Sequence, residues 1–170
     1  MPFKKSILTI TSLLTFLFLT SLICFSQGNN FGFDNPPAQG INTFISPGYC
    51  IGCIKIGESE NNIIAILGKP ENVSKEKLWY IYSYEKAYQL SVFINFNGQV
   101  TGIFTTNPVY KDQYDFGIGS RIEDVAGYYP DGKYTENSSF THSRNGQGII
   151  FTYDNGKVTG ISVFKMFRRN

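Results

Sequence analysis

One heptapeptide is written almost twice in this chain: NGQVTGI from Asn97 and NGKVTGI from Asn155, 58 residues apart and differing at one position. Asn-Gly readily takes positive φ at both central positions of a turn, and alternating apolar residues flank it in each copy. Each copy therefore marks a β-hairpin, LSVFINF turning into QVTGIFTT and GIIFTYD turning into KVTGISVF. A doubled hairpin in 170 residues asks for two similar units, which narrows the fold more than composition does.

The stretches before the hairpins also match. IGESENNIIAIL from Ile56 lies against IGSRIEDVAGYY from Ile118, with Gly57 over Gly119, and apolar residues recur at i, i+3 and i+4 in both. That period predicts a short amphipathic helix in each unit. Ser59 is placed to cap the first, and Ser120 with Glu123 fits a capping box for the second. Gly68 with Pro70 and Pro130 with Gly132 stop them. After each helix the period becomes two: LWYIYSYE from Leu78 alternates cleanly, while the strand around Ser139 to Ser143 is weakly marked. The turn glycines Gly98 and Gly156 correspond, as do Gly102 and Gly160 inside the last strand. An in-strand glycine signals a bulge or a close approach, here read as the unit's own helix crossing the sheet.

The expected fold class is therefore α+β. It has two tandem helix-plus-antiparallel-three-strand units, forming one sheet with both helices on one face. Boundaries follow: residues 50–106 for the first unit, a linker at 107–115, and 116–170 for the second. The pattern IKIGESENNIIAILGKPENV, a Trp/Tyr-rich strand and VFINFNGQVTGI resembles the SmpA/OmlA (BamE-like) family of outer-membrane assembly lipoproteins. The tandem arrangement is similar to the β-lactamase inhibitor protein fold. The resemblance implies a small helix-plus-sheet module and says little of function, and it assigns no contact residue by position.

The N-terminus has the layout of an export signal. Lys4 and Lys5 precede an uncharged, mostly apolar run from Ile7 to Ile23, and polar residues follow. Residues 1–26 are expected to be removed on export to the periplasm or the exterior. The alternatives are a retained anchor at residues 6–25 or a lipid on Cys24. Residues 27–49, rich in Gly, Asn and Pro, read as a flexible tether. Removing the signal takes two of the fifteen basic side chains and leaves thirteen against thirteen acidic. A neutral chain has no field to capture phosphates, so nucleic acid is not an expected partner.

Catalytic sets are sparse. Cys50 and Cys53 in YCIGCIKIG are followed by an extended stretch, where a redox pair wants a helix start, and by no haem-attaching histidine. A local disulfide or two ordinary thiols is the first expectation, with redox chemistry the alternative. The one histidine, His142, sits between Thr141 and Ser143, whose side chains project to the opposite strand face. Asp112, Asp115, Glu123 and Asp124 read as a solvated linker and helix start. No metal, cofactor or catalytic residue is expected. The surplus of aromatics on the first unit, Trp79, Tyr80, Tyr82, Tyr84 and Tyr88, is the expected binding face. The sequence thus points to an exported, non-enzymatic protein-binding module acting in envelope assembly or as an inhibitor. A thiol protein or a small-ligand carrier is the alternative, and the partner is another envelope or extracellular protein.

Overall fold

The computed structural model describes residues 42–166. The signal, Cys24, most of the tether and the basic residues Arg168 and Arg169 lie outside the described residues. The fold is dominated by β-structure, and the expected pair of helix-plus-three-strand units is overturned. Three two-residue strands, β1 (Ile45–Ser46), β2 (Cys50–Ile51) and β3 (Ile54–Lys55), form a separate small antiparallel sheet. The main sheet has eight antiparallel strands: β4 (Asn72–Lys75), β5 (Trp79–Tyr84), β6 (Leu90–Asn95), β7 (Val100–Thr105), β8 (Lys133–Thr135), β9 (Ser139–Arg144), β10 (Gln147–Asp154) and β11 (Lys157–Lys165). Their spatial order is β4-β5-β6-β7-β11-β10-β9-β8. The helices are short: α1 (Glu60–Leu67), α2 (Glu85–Tyr88) and α3 (Ile122–Tyr128).

The unforeseen strands explain the correction. β4 reads NVSK and β8 reads KYT, exposed edges with no apolar alternation to announce them. Edge strands need only a neighbour's backbone, so polar side chains suffice there. The tether assignment also stops too late. Ile45 is wholly buried in β1, and Lys111 of the supposed linker pairs with this segment, donating to Thr43 O and accepting from Ile45 N.

The doubled heptapeptides do form hairpins, although their turns differ. Asn155 and Gly156 both take positive φ in a two-residue turn between Asp154 and Lys157. In the first hairpin only Gly98 does so, and the turn is longer. Both turns reach back to a helix start. Gly98 O accepts from Glu60 N at 2.8 Å and Gly156 O from Ile122 N at 3.0 Å, while Gly57 N and Gly119 N donate to Val100 O and Val158 O. These bonds satisfy helix-terminal amides that have no intrahelical partner. Ser59 caps α1 through Asn62 N, as its position implies. The capping box on α3 does not form: Arg121 is the N-cap residue, and Ser120 Oγ instead accepts from Gly117 N.

One parity of the main sheet builds the core. Val92, Ile94, Ile103, Ile149, Phe151, Ile161 and Val163 pack against Ile63 of α1, Ile122 and Val125 of α3, and Ile45, Ile51 and Ile54 of the small sheet. At roughly 2 kcal/mol per buried aliphatic side chain, this layer dominates the stabilisation.

Candidate functional site

The other parity of the same strands is the feature that distinguishes this sheet. Ile81, Phe93, Phe104, Ile150 and Phe164 lie outside the core cluster and keep partial exposure, and Trp79 is 38% exposed. Register joins them into one surface. Ile81 sits opposite Phe93, Phe93 opposite Gly102, Gly102 opposite Phe164, and Phe104 opposite Ser162, which is in turn opposite Ile150. Trp79 meets Phe93 edge to face at 6.2 Å between centroids.

The in-strand glycines belong to this surface, and no helix crosses over them. A Cβ at Gly160 would stand 2.7 Å from the Phe104 ring, and one at Gly102 would stand 3.4 Å from the Phe93 ring. The two rings therefore lie down across neighbouring strands and leave a low, flat relief. The polar groups among them are short. Thr101 donates to Phe93 O and Ser91 donates to the Glu85 carboxylate.

The five aromatics expected to form one binding face are split by strand parity. Tyr80, Tyr82 and Tyr84 point to the core side. Tyr82 and Tyr84 are buried, with Tyr82 donating to the Glu60 carboxylate and Tyr84 to Gly68 O. Tyr88 packs beside Tyr84 from α2. Only Trp79 reaches the open face. Phe93, Phe104 and Phe164 share that face with Trp79. Their signal was the alternation itself, but alternation does not say which parity is covered.

Burial pushes the phenols of Tyr82, Tyr84 and Tyr110 up to about 12, with the Glu60 carboxylate adding to the effect at Tyr82 and Tyr84. An unfolded tyrosine ionises near ~10. Above that pH the unfolded chain releases protons that the folded one retains, so stability is intact below about 10 and falls toward 12. We expect a denaturation midpoint that is level through neutral pH and drops steeply above pH ~10. Tyrosinate absorbance that developed at ordinary pH without loss of fold would contradict the burial of these rings.

The cysteines sit in and beside the β2–β3 turn. Cys50 is buried and Cys53 exposed. Burial raises the Cys50 thiol, which opposes the thiolate that redox exchange needs. A small apolar cavity of about 160 Å³ opens nearby between Ile54, Leu67, Leu90, Tyr88 and Tyr110, with Cys53 at its lining. Among the described residues no group of three or more His, Cys, Asp or Glu is arranged to hold a metal ion.

Asp112, expected in a solvated linker, is 5% exposed. Its Oδ1 accepts from Tyr114 N and Phe116 N, both at 2.9 Å, and its Oδ2 accepts from Tyr129 Oη at 2.6 Å. Burial first and this carboxylate second hold the Tyr129 phenol well above its ordinary range. The Tyr129 ring lies 5.0 Å from that of His142, whose Nδ1 is buried without a hydrogen-bond partner. Both carboxylate oxygens are occupied by donors, so the arrangement ties the 112–116 loop to the end of α3. The only hint of it in the sequence is the aspartate itself, whose side chain readily accepts from a backbone amide two residues on.

With this geometry defined, comparison with known proteins locates the fold. No family model and no curated protein matches the sequence. Among solved structures, an extracellular protein containing an SCP domain from Bacillus anthracis is similar at TM-score 0.52 and 14% identity, over 65% of this chain and 44% of that one. The chain thus spans less than half of that protein. A DUF4309 family protein (YjgB) from Bacillus subtilis is similar at TM-score 0.50 and 9% identity, over 70% of this chain and 88% of that one. These likenesses concern the fold alone. Among the described residues no helix is long and apolar enough to cross a membrane.

Proposed function

We propose that the chain is an exported, non-enzymatic protein-binding module and that the open face of the eight-stranded sheet is its contact surface. The observation that carries this is the row of half-buried aromatic and aliphatic side chains from Trp79 to Ile150, on a sheet whose other face packs its central strands into the core. Contiguous apolar surface of this kind marks interaction sites on soluble proteins, and flat aromatic anchors supply large contact area at low entropic cost. The charged N-terminus followed by an apolar run supports export. The likeness in fold to an extracellular Bacillus protein accords with that.

The test uses the secreted form of the chain, carrying a photo-crosslinker at Ser162, in envelope and culture-fluid fractions. We expect specific protein adducts that decline at least tenfold when Phe93 and Phe104 are both replaced by serine. Adducts unaffected by that pair of changes, or none at all, would remove the open face as the contact surface.

A further inference from the structure

We infer that the occupant of the open face is a second copy of this chain, packed face to face as a dimer; the inference rests on the reading of that face as the binding surface. Three observations point to it.

The first is charge. The outward positions paired in register from Ser83 across to Thr152 are Ile, Phe, Gly, Ser and Thr, with no ionisable side chain among them. Charges begin only at the margin, with Glu85 bonded to Ser91, with Lys133 on the edge strand β8 opposite Thr141, and with Asp154 and Lys157 in the hairpin turn. A charged partner gains nothing from such a surface. The surface gains most from an equally neutral one, and laid on its own copy it opposes no like charges.

The second is shape. Because Phe104 lies over Gly160 and Phe93 over Gly102, the relief is shallow, as one sheet needs in order to pack on another at ~10 Å. The third is size. The six strands that carry the face, β5, β6, β7, β11, β10 and β9, span about 24 Å at ~4.8 Å spacing, and six residues along a strand span about 20 Å, giving a footprint of about 480 Å² on each copy. Two such faces bury about 1,000 Å² together, the small end of the range for specific interfaces, which fits a dimer in exchange with its monomer. A neutral core with charges confined to its rim is also the usual anatomy of a homodimer interface.

A glycan is the other flat, neutral ligand to consider. Sugar recognition needs directional polar groups around the stacking ring, whereas here the hydroxyls are short and those of Ser91 and Thr101 are already engaged.

The test is sedimentation velocity on the secreted form over a wide concentration series. The wild type should sediment as a dimer. Ser162→Arg, which adds a charge near the centre of the face without removing packing, should weaken self-association at least tenfold while leaving the far-UV circular dichroism of the folded chain unchanged. Ile150→Glu should do the same, and Val73→Lys, outside the face, should leave the dimer intact. A wild type that stays monomeric at every concentration overturns the inference, as does a Ser162→Arg protein that remains dimeric. A monomer that still crosslinks to a different protein through Ser162 defeats the dimer and leaves the binding-face proposal standing. A monomer that crosslinks to nothing but is retained on insoluble peptidoglycan defeats both.

Discussion

Asp112→Ala should cost the fold about 4 kcal/mol, a large share of the 5–15 kcal/mol that holds a domain of this size together. The substitution removes one buried acceptor from three donors. Tyr114 N, Phe116 N and the Tyr129 hydroxyl would each lose their partner; a buried donor such as that hydroxyl, left without one, costs roughly 1–3 kcal/mol, and the two half-buried amides somewhat less. The damage should spread through Lys111, whose backbone joins the segment at Thr43–Ile45 to this loop. Asp112→Asn, which keeps one carbonyl oxygen, should lose less, and Tyr129→Phe less again. Urea denaturation of the three variants gives the order directly. An Asp112→Ala midpoint equal to that of the wild type would mean that the carboxylate is not buried as described.

The second large effect is expected at Gly148→Ala. A Cβ there would lie 2.2 Å from the carbonyl oxygen of His142 and 2.7 Å from the Cα of Ser143, atoms of the neighbouring strand's backbone. Side chains can swing away from such a contact, but a paired strand can yield only by breaking its ladder. The same glycine accepts a backbone hydrogen bond from Gly48, so the substitution would disturb the small sheet's approach to β10 as well. We expect a loss of about 3 kcal/mol or more, seen as poor recovery of folded protein and an early thermal transition. Gly127→Ala is the control. It lies in α3 with open space around it and should be neutral or stabilising by up to ~1 kcal/mol. Equal behaviour of the two variants would contradict the close approach of β9 to β10.

What was legible in the sequence was local. Asn155-Gly156 specifies its turn through backbone preference, Ser59 specifies the start of α1, and Gly68 ends that helix with a positive φ. Each of these is decided by residues within a few positions of one another. What was not legible depends on partners distant in the chain. β4 and β8 are strands because β5 and β9 offer them free edges, and nothing in NVSK or KYT says so. Asp112 is buried because Tyr129, seventeen residues on, reaches back to it. The same logic applies to the candidate site. Period two in LWYIYSYE correctly separates Trp79 from Tyr80, Tyr82 and Tyr84. Only the placement of α1, which brings Glu60 and Gly68 to the tyrosine hydroxyls, decides which set is hidden.

The last described strand in chain order, β11, occupies a central place in the sheet, between β7 and β10. As the chain is synthesised, both of those neighbours exist before the strand that joins them. Until residues 157–165 arrive, β7 and β10 each offer a bare row of amides and carbonyls along an apolar strand. A half-made chain is thus two unfinished sheets with adhesive rims, and its last strand both seals and unites them.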